Sequence, residues 1–387
     1  MPRAFSNTDA LGRLESHLSE GSQAPSRNPV SRMSGEIEAT SRRLAFPDHI
    51  ERDMSKSLPS RQGTGLSSAT GRSISSTSFD DYTVGWICAL SVEMAAAVAM
   101  LDERHPVLSL HRGDSNLYFY GSIGHHKVVI GCLPAGMIGN NSAASVATGM
   151  ARSFPNLSIR LMVGIGGGNP SVRDIRLGDV VVSMPGNHHG GVVQYDFGKT
   201  TMGGKFEKTG SLPPPPSKLL QAIARLEAVR GIDGSKMPEY LEVFDTEHRR
   251  KEYSSPGRMR DVLFKADYNH VQGEATCNKC DLNRVENRAD RDSLVPFVHY
   301  GAIASGNQVM RDALSRDVLG EQFDVLCFEM EAAGLVNMGA FPCLVIRGIC
   351  DYADTHKNNE WQGYAAATAA AYAKEVLMNI PPSHNHG

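Results

Sequence analysis

The sequence has no excess of basic residues, no apolar run long enough to cross a bilayer, and no apolar core near its N-terminus of the kind a secretory signal carries. Each shortage removes a class of function. With 39 Lys and Arg against 42 Asp and Glu, the 387-residue chain has a formal net charge of −3, so neither nucleic acid nor an anionic membrane is expected as its main partner. A membrane span needs roughly 18 consecutive apolar residues. Without such a run or a leader, an intracellular location is expected, cytoplasmic or nuclear. Cysteine is scarce and odd in number, seven in all, and Cys88, Cys132, Cys327, Cys343 and Cys350 sit in apolar surroundings. That suits reduced core thiols better than a disulfide framework. The expected partner is a small molecule or another protein.

Residues 1–79 lack any sustained apolar period and carry Ser-rich stretches such as "SSATGRSISSTS". They cannot bury enough surface to offset ordering entropy and are expected to form a disordered arm. Arg and Ser also suit a mitochondrial presequence, but Asp9, Glu15, Glu20, Glu36 and Glu38 argue against one. From Tyr82 the pattern changes. "YTVGWICAL" reads as a strand, and "SVEMAAAVAMLDE" reads as a helix with Ser91 as its N-cap. A hairpin is expected from "LYFYGSI", Gly124, His125 and "KVVIGCL", followed by a helix near "NSAASVATGMARSF". The strands "IRLMVGI", "GDVVVSM", "VHYGAIAS", "DVLCFEM" and "FPCLVIRGI" come next, and "WQGYAAATAAAYAKEVL" closes the chain as a helix. This alternation predicts an α/β domain over 80–380 with a mixed, mainly parallel central sheet flanked by helices. Between about 206 and 296 the pattern lapses into "SLPPPPSK", one helix candidate ("KLLQAIARLEAV") and a charged segment. That is too long for an ordinary loop and reads as an insertion.

The dinucleotide fingerprint is absent as well. "GIGGGNP", Gly164 to Pro170, follows a strand, but Asn169 stands where G-x-G-x-x-G needs its last glycine. What remains is a glycine loop at a strand end, around Ile165 and Gly166, where a ligand can approach the backbone closely. Four acids fall at or just beyond strand ends: Glu93, Glu329, Glu331 and Asp351. Taken singly, each is explained as a helix cap or first-turn acid. Taken together on one edge of a sheet, they point to a pocket in which carboxylates share acid, base and hydroxyl-binding work.

The strings "YTVGWICAL", "LMVGIGGG", "RLGDVVVS", "GGVVQYDFGK", "HYGAIASGNQVM", "CFEMEAAGL" and "IRGICDYAD" occur in that order. They resemble the superfamily of purine nucleoside phosphorylases and methylthioadenosine/S-adenosylhomocysteine nucleosidases, most of all its fungal nucleoside phosphorylase domain proteins. The resemblance covers Tyr82 to Leu377 outside the insertion and implies the three-layer fold of that superfamily. It also implies roles. Glu331 would accept hydrogen bonds from the ribose 2′- and 3′-hydroxyls, with Met330 packed on the sugar and Glu329 behind them. Asp351, or less directly Asp354, would protonate purine N7. Glu93 would orient the attacking water, with Arg347 steadying it as a carboxylate. The backbone at Val309 and Met310 would be the base-recognition strand, Val309 standing where relatives often place an aromatic side chain.

The family's phosphorylases hold phosphate with an arginine and a serine, and the matching positions here are Met162 and Ile165. Hydrolysis of the glycosidic bond of a purine, by default adenine, nucleoside or nucleotide is therefore expected, with no cofactor for catalysis. Phosphorolysis, or nucleotide sensing without turnover, are the competing expectations. Some relatives joined to defence proteins act on nucleotides such as ATP, and His188, His189 and Lys199 are candidates to meet a 5′-phosphate chain or else to face solvent. Homo-oligomers are usual in the family. Within the insertion, "HVQGEATCNKC" places His270, Cys277 and Cys280 together. They supply three of the four ligands of a structural zinc, with reduced surface thiols as the alternative.

Overall fold

The computed structural model describes residues 77–382 apart from 110–112, 205, 338 and 340. The expected arm therefore lies, except for residues 77–79, outside the described residues. Phe79 packs on Phe154 with ring centroids 5.3 Å apart, just ahead of the first strand.

In chain order, β1 (Val84–Cys88) leads into α1 (Ser91–Ala99). Next come β2 (Glu103–Arg104), β3 (Tyr118–Ile123), β4 (His126–Cys132) and α2 (Asn140–Ser153). β5 (Ile159–Gly168), β6 (Val180–Ser183) and β7 (Val192–Gln194) precede a short pair, β8 (Gly198–Thr200) and β9 (Phe206–Lys208). Three helices follow: α3 (Ser217–Asp233), α4 (Met237–Leu241) and α5 (Glu247–Tyr253). The chain then runs through β10 (Val298–Ser305), α6 (Ala313–Phe323), β11 (Val325–Glu329), α7 (Ala332–Asn337), β12 (Leu344–Asp351) and α8 (Gln362–Met378).

Ten strands form one mixed sheet in the order β11-β10-β6-β12-β5-β1-β4-β3-β2, with β7 beside β10. The central pairs β4–β1, β1–β5, β5–β12 and β10–β11 are parallel, whereas β12–β6 and the β3–β4 hairpin are antiparallel. β11 also meets the end of β5 antiparallel, Cys327 opposite Gly168, which curls the sheet around its carboxyl edge.

Alternation along the strands assigns the layers. Val84, Trp86 and Cys88 of β1 join Val128, Ile130, Leu161, Val163 and Ile346 in one apolar cluster with α1 and α8. Ile87, Val129, Met162 and Val345 face the other way, into a second cluster with α2 and α7. This is the period of two that a sheet covered on both faces requires. Close approach sets the helix positions: a Cβ at Gly348 of β12 would lie 1.8 Å from the carbonyl oxygen of Ala365. The alanines of α8 are small for the same reason. Leu219, Ile223 and Leu226 of α3, Met237 of α4 and Tyr253 of α5 belong to the α8-side cluster, so residues 206–296 carry two helices beyond the one their periodicity suggests. Among the described residues no helix is long and apolar enough to cross a membrane.

Candidate active site

The carboxyl ends of β1, β10, β11 and β12 and the far half of β5 enclose a cleft of roughly 200 Å³ that opens to solvent. Its lining includes Glu93, Glu329, Glu331 and Asp351, so all four strand-end acids meet in one place. Ile165, Gly166, Val309, Met310, Met330 and Arg347 line it too.

Glu93 is third in α1, and Leu90, not Ser91, holds the cap position before the helix. The Glu93 carboxylate accepts N–H hydrogen bonds from Ala89 at 2.7 Å, Leu90 at 2.9 Å and Ile165 at 2.8 Å. These bonds cap the helix and fix the side chain beneath the cleft. Arg347 Nη1 stands 3.9 Å from Glu93 Oε1. Even so, burial pushes the Glu93 carboxyl above its ordinary range, outweighing Arg347 and the three N–H groups. Arg347 thus favours the carboxylate form of Glu93, as expected, but burial opposes it more strongly.

The segment "CFEMEAA" divides its two glutamates. Glu329, the last residue of β11, turns inward: it accepts from the backbone N–H of Glu331 and Ala332, each at 3.0 Å, and pairs with Arg347 Nη2. It therefore starts α7 and anchors the arginine. Glu331 accepts from Gly139 N–H at 3.2 Å, ahead of α2, and lies 3.5 Å from Arg347 Nη2. Burial pushes Glu331 up to about 7, with Arg347 opposing and the charges of Glu329 and Glu93 adding. Arg347 is 1% exposed. Burial alone would lower its basicity, but the three glutamates more than offset that and raise it.

Asp351 ends β12. Its carboxylate accepts from Ala353 N–H at 2.9 Å and pairs with Lys357, a cleft residue the sequence reading did not single out. The signal was present in "DYADTHK", a lysine six residues after the acid. Phe328, Gln308 and Gln362 were also missed. Asp354 is buried and accepts from His356 N–H, and it does not line the cleft.

Two expectations need correction. The glycine run is not a loop, since β5 continues through Gly168. A Cβ at Gly164 would lie 2.4 Å from Glu93 Oε1 and 2.5 Å from Arg347 Nη1, and one at Gly167 would lie 2.7 Å from Asp351 Oδ1. The glycines make room for the site's own charged side chains. Val309 and Met310 lie beyond the end of β10 in a loop, not a strand. Tyr195 anchors that loop by donating its hydroxyl to the Gln308 carbonyl at 2.8 Å.

His188, His189 and Lys199 do not line the cleft. His188 is exposed, His189 accepts from Gly191 N–H at 3.2 Å, and Lys199 pairs with Glu207 at 3.3 Å. His270, Cys277 and Cys280 do come together, and His356 joins them from the loop after β12.

The sequence profile of the Phosphorylase superfamily matches residues 83–378. A nucleotide-binding leucine-rich repeat (NLR)-like protein of Hyaloscypha variabilis is 49% identical over 305 residues, which cover 78% of this chain and 30% of that protein. The chain thus spans less than a third of that relative. A 5′-methylthioadenosine/S-adenosylhomocysteine nucleosidase of Mycobacterium bovis is 24% identical over 305 residues, covering 77% of this chain and 97% of the relative. Among solved structures, the nucleosidase of the same name from Neisseria meningitidis, in complex with methylthio-immucillin-A, superposes with a TM-score of 0.50 at 19% identity. It covers 76% of this chain and 98% of that one.

Proposed function

The chain belongs to the Phosphorylase superfamily, and on that premise we propose that it hydrolyses the N-glycosidic bond of a purine nucleoside or nucleotide, with adenine as the base. One observation carries the choice of water over phosphate. Among the described residues lining the cleft, four are acids, and the two cations, Arg347 and Lys357, are both engaged by carboxylates. A phosphate dianion there would meet like charge and no free donor cation. Water carries no such penalty. The nucleosidase names of two similar proteins support the same reading.

In the proposed reaction Glu93 takes a proton from water, whose oxygen attacks the anomeric carbon. The C1′–N9 bond breaks with its electron pair going to the purine, and Asp351 takes a proton from the Lys357 ammonium paired with it and passes it to N7, so that the base leaves neutral. Glu331 accepts the ribose hydroxyls, as an acceptor-only carboxylate can, and Met330 covers the sugar. Glu329 holds Arg347 and the start of α7. Burial of Glu93 makes it a better base once ionised. No step calls for a cofactor, and homo-oligomerisation is part of the proposal.

Product analysis with and without inorganic phosphate is the test. Free base and ribose, or ribose phosphate from a nucleotide, should form at the same rate in both. Ribose 1-phosphate formed only when phosphate is present would replace this reading by phosphorolysis. The NLR-like relative favours a second reading, in which this domain senses nucleotide inside a longer protein. Tight nucleotide binding with no product from any nucleoside or nucleotide would select it.

The position of Glu331 sets a pH dependence. Its carboxyl, pushed up to about 7 by burial, must be ionised to accept both ribose hydroxyls. KM should therefore rise as pH falls through about 7, approaching tenfold per pH unit well below it. In Glu331→Gln this acid limb should vanish at a uniformly poorer KM. A wild-type KM that stays flat from alkaline to mildly acidic pH would take Glu331 out of sugar binding.

A further inference from the structure

We propose that His270, Cys277, Cys280 and His356 hold one zinc ion, and that this ion fastens the 206–296 segment to the loop that follows Asp351. The four ligand atoms all lie within 4.8 Å of one another. His356 Nδ1 is 3.7 Å from Cys277 Sγ and 3.8 Å from Cys280 Sγ. A tetrahedral zinc with Zn–S of about 2.3 Å and Zn–N of about 2.0–2.1 Å separates sulfur from nitrogen by about 3.6 Å. The side chains thus stand at nearly the edge length of a filled site.

Their surroundings point the same way. His356 Nε2 lies 3.1 Å from the Tyr268 carbonyl, which can only accept, so the ring proton sits on Nε2 and the Nδ1 lone pair faces the sulfurs. Phe264 stacks on the same ring with centroids 4.0 Å apart and holds its plane. Cys277 and Cys280 sit on one tight turn, closed by Cys280 N–H donating to the Cys277 carbonyl at 3.0 Å. A disulfide between them would leave the two imidazoles converging on nothing. Two sulfurs and two imidazoles with no position left open suit a structural zinc, not a catalytic one.

The consequence for the cleft follows from His356. It lies five residues beyond Asp351 on a loop tied by Ala353 N–H to Asp351, His356 N–H to Asp354, and the Lys357–Asp351 ion pair. The backbone N–H of His270 donates to Thr355 Oγ1 at 2.9 Å, so the loop and the segment already touch. A metal on His356 fixes the far end of the loop and hence the aim of the Asp351 carboxylate. His356 is in this sense a positioning residue. That second half rests on the function proposed above, whereas the metal site does not.

The test uses the full chain purified under reducing conditions. Elemental analysis should find about one zinc per chain, lost in Cys277→Ser and in His356→Ala but kept in Cys132→Ser, which lies outside the cluster. Cobalt exchanged into the wild-type protein should show the intense visible bands of a tetrahedral thiolate site, a readout that does not depend on any variant folding. Chelation should lower the thermal midpoint, and added zinc should restore it. With adenosine as substrate, chelation should reduce kcat by roughly 10–100-fold with little change in KM. Wild-type protein that neither retains nor takes up zinc, or that carries a Cys277–Cys280 disulfide, overturns the site. Bound zinc whose removal leaves kcat unchanged overturns the fastening role. Bound zinc in a protein that releases no base keeps the site and rejects the proposed reaction.

Discussion

Glu93→Gln is expected to lower the rate of base release by about 10²–10⁴-fold, the usual worth of a positioned general base, while the protein still folds and still binds nucleoside. The variant tests the chemistry cleanly because of how Glu93 is held. Its carboxylate fits among three backbone N–H donors and lies beside, but is not forked onto, Arg347. Glutamine keeps the size and one acceptor oxygen. Turned toward Ala89 and Leu90, that oxygen preserves the cap of α1, and the amide NH2 then faces the Ile165 N–H. One unsatisfied buried donor costs about 1–3 kcal/mol. Removing a buried charge that burial already disfavours returns part of it. The melting midpoint should therefore fall by a few degrees at most, with an unchanged circular dichroism spectrum. A variant turning over at close to the wild-type rate would remove Glu93 from the mechanism, and one that does not fold would be followed by Glu93→Asp.

The parts of this site that the sequence displays are those whose local and tertiary roles agree. Glu93, Glu331 and Asp351 each stand at or within a few residues of the end of an apolar run, and a parallel sheet delivers such residues to one edge whatever its finer packing. What stayed hidden depends on neighbours distant in sequence. Gly164 to Gly168 read as a loop because glycine disfavours strands locally, yet they are strand because Glu93, Arg347 and Asp351 fill the space their side chains would take. α5, "EHRRKEY", has almost no apolar stripe of its own and folds through Tyr253, buried against the α8 side. His356 gives no metal signal where it stands, 76 residues beyond Cys280. Glu329 and Glu331 look alike in "EME", and only the fold separates them: both line the cleft and stand near Arg347, but Glu329 also accepts the N–H groups that start α7, whereas Glu331 reaches to Gly139 ahead of α2.

Arg347→Met should be the most damaging single change to the stability of the domain. The guanidinium pairs with Glu329, stands 3.5 Å from Glu331 and 3.9 Å from Glu93, and donates to the Ile165 carbonyl at 3.2 Å. All four side chains are buried. Methionine fills much of the volume but leaves three carboxylates without their cation, and breaking a buried ion pair from one side costs about 3–5 kcal/mol. Urea unfolding should show a loss of that order, and the thermal midpoint should fall by on the order of 10 °C. Because Arg347 holds Glu331 down against burial, its removal should also move the KM limb to higher pH than in the wild type. Arg347→Lys should fall between the two, since a compact ammonium keeps the charge but cannot fork between carboxylates on different elements. Adding Glu329→Gln to Arg347→Met separates this account from simple loss of packing. With one fewer uncompensated carboxylate, the double variant should be more stable than Arg347→Met alone, a non-additivity that a packing defect would not produce. If the double variant is instead less stable by the sum of the two single losses, the charge cluster is not what holds the carboxyl edge of the sheet together.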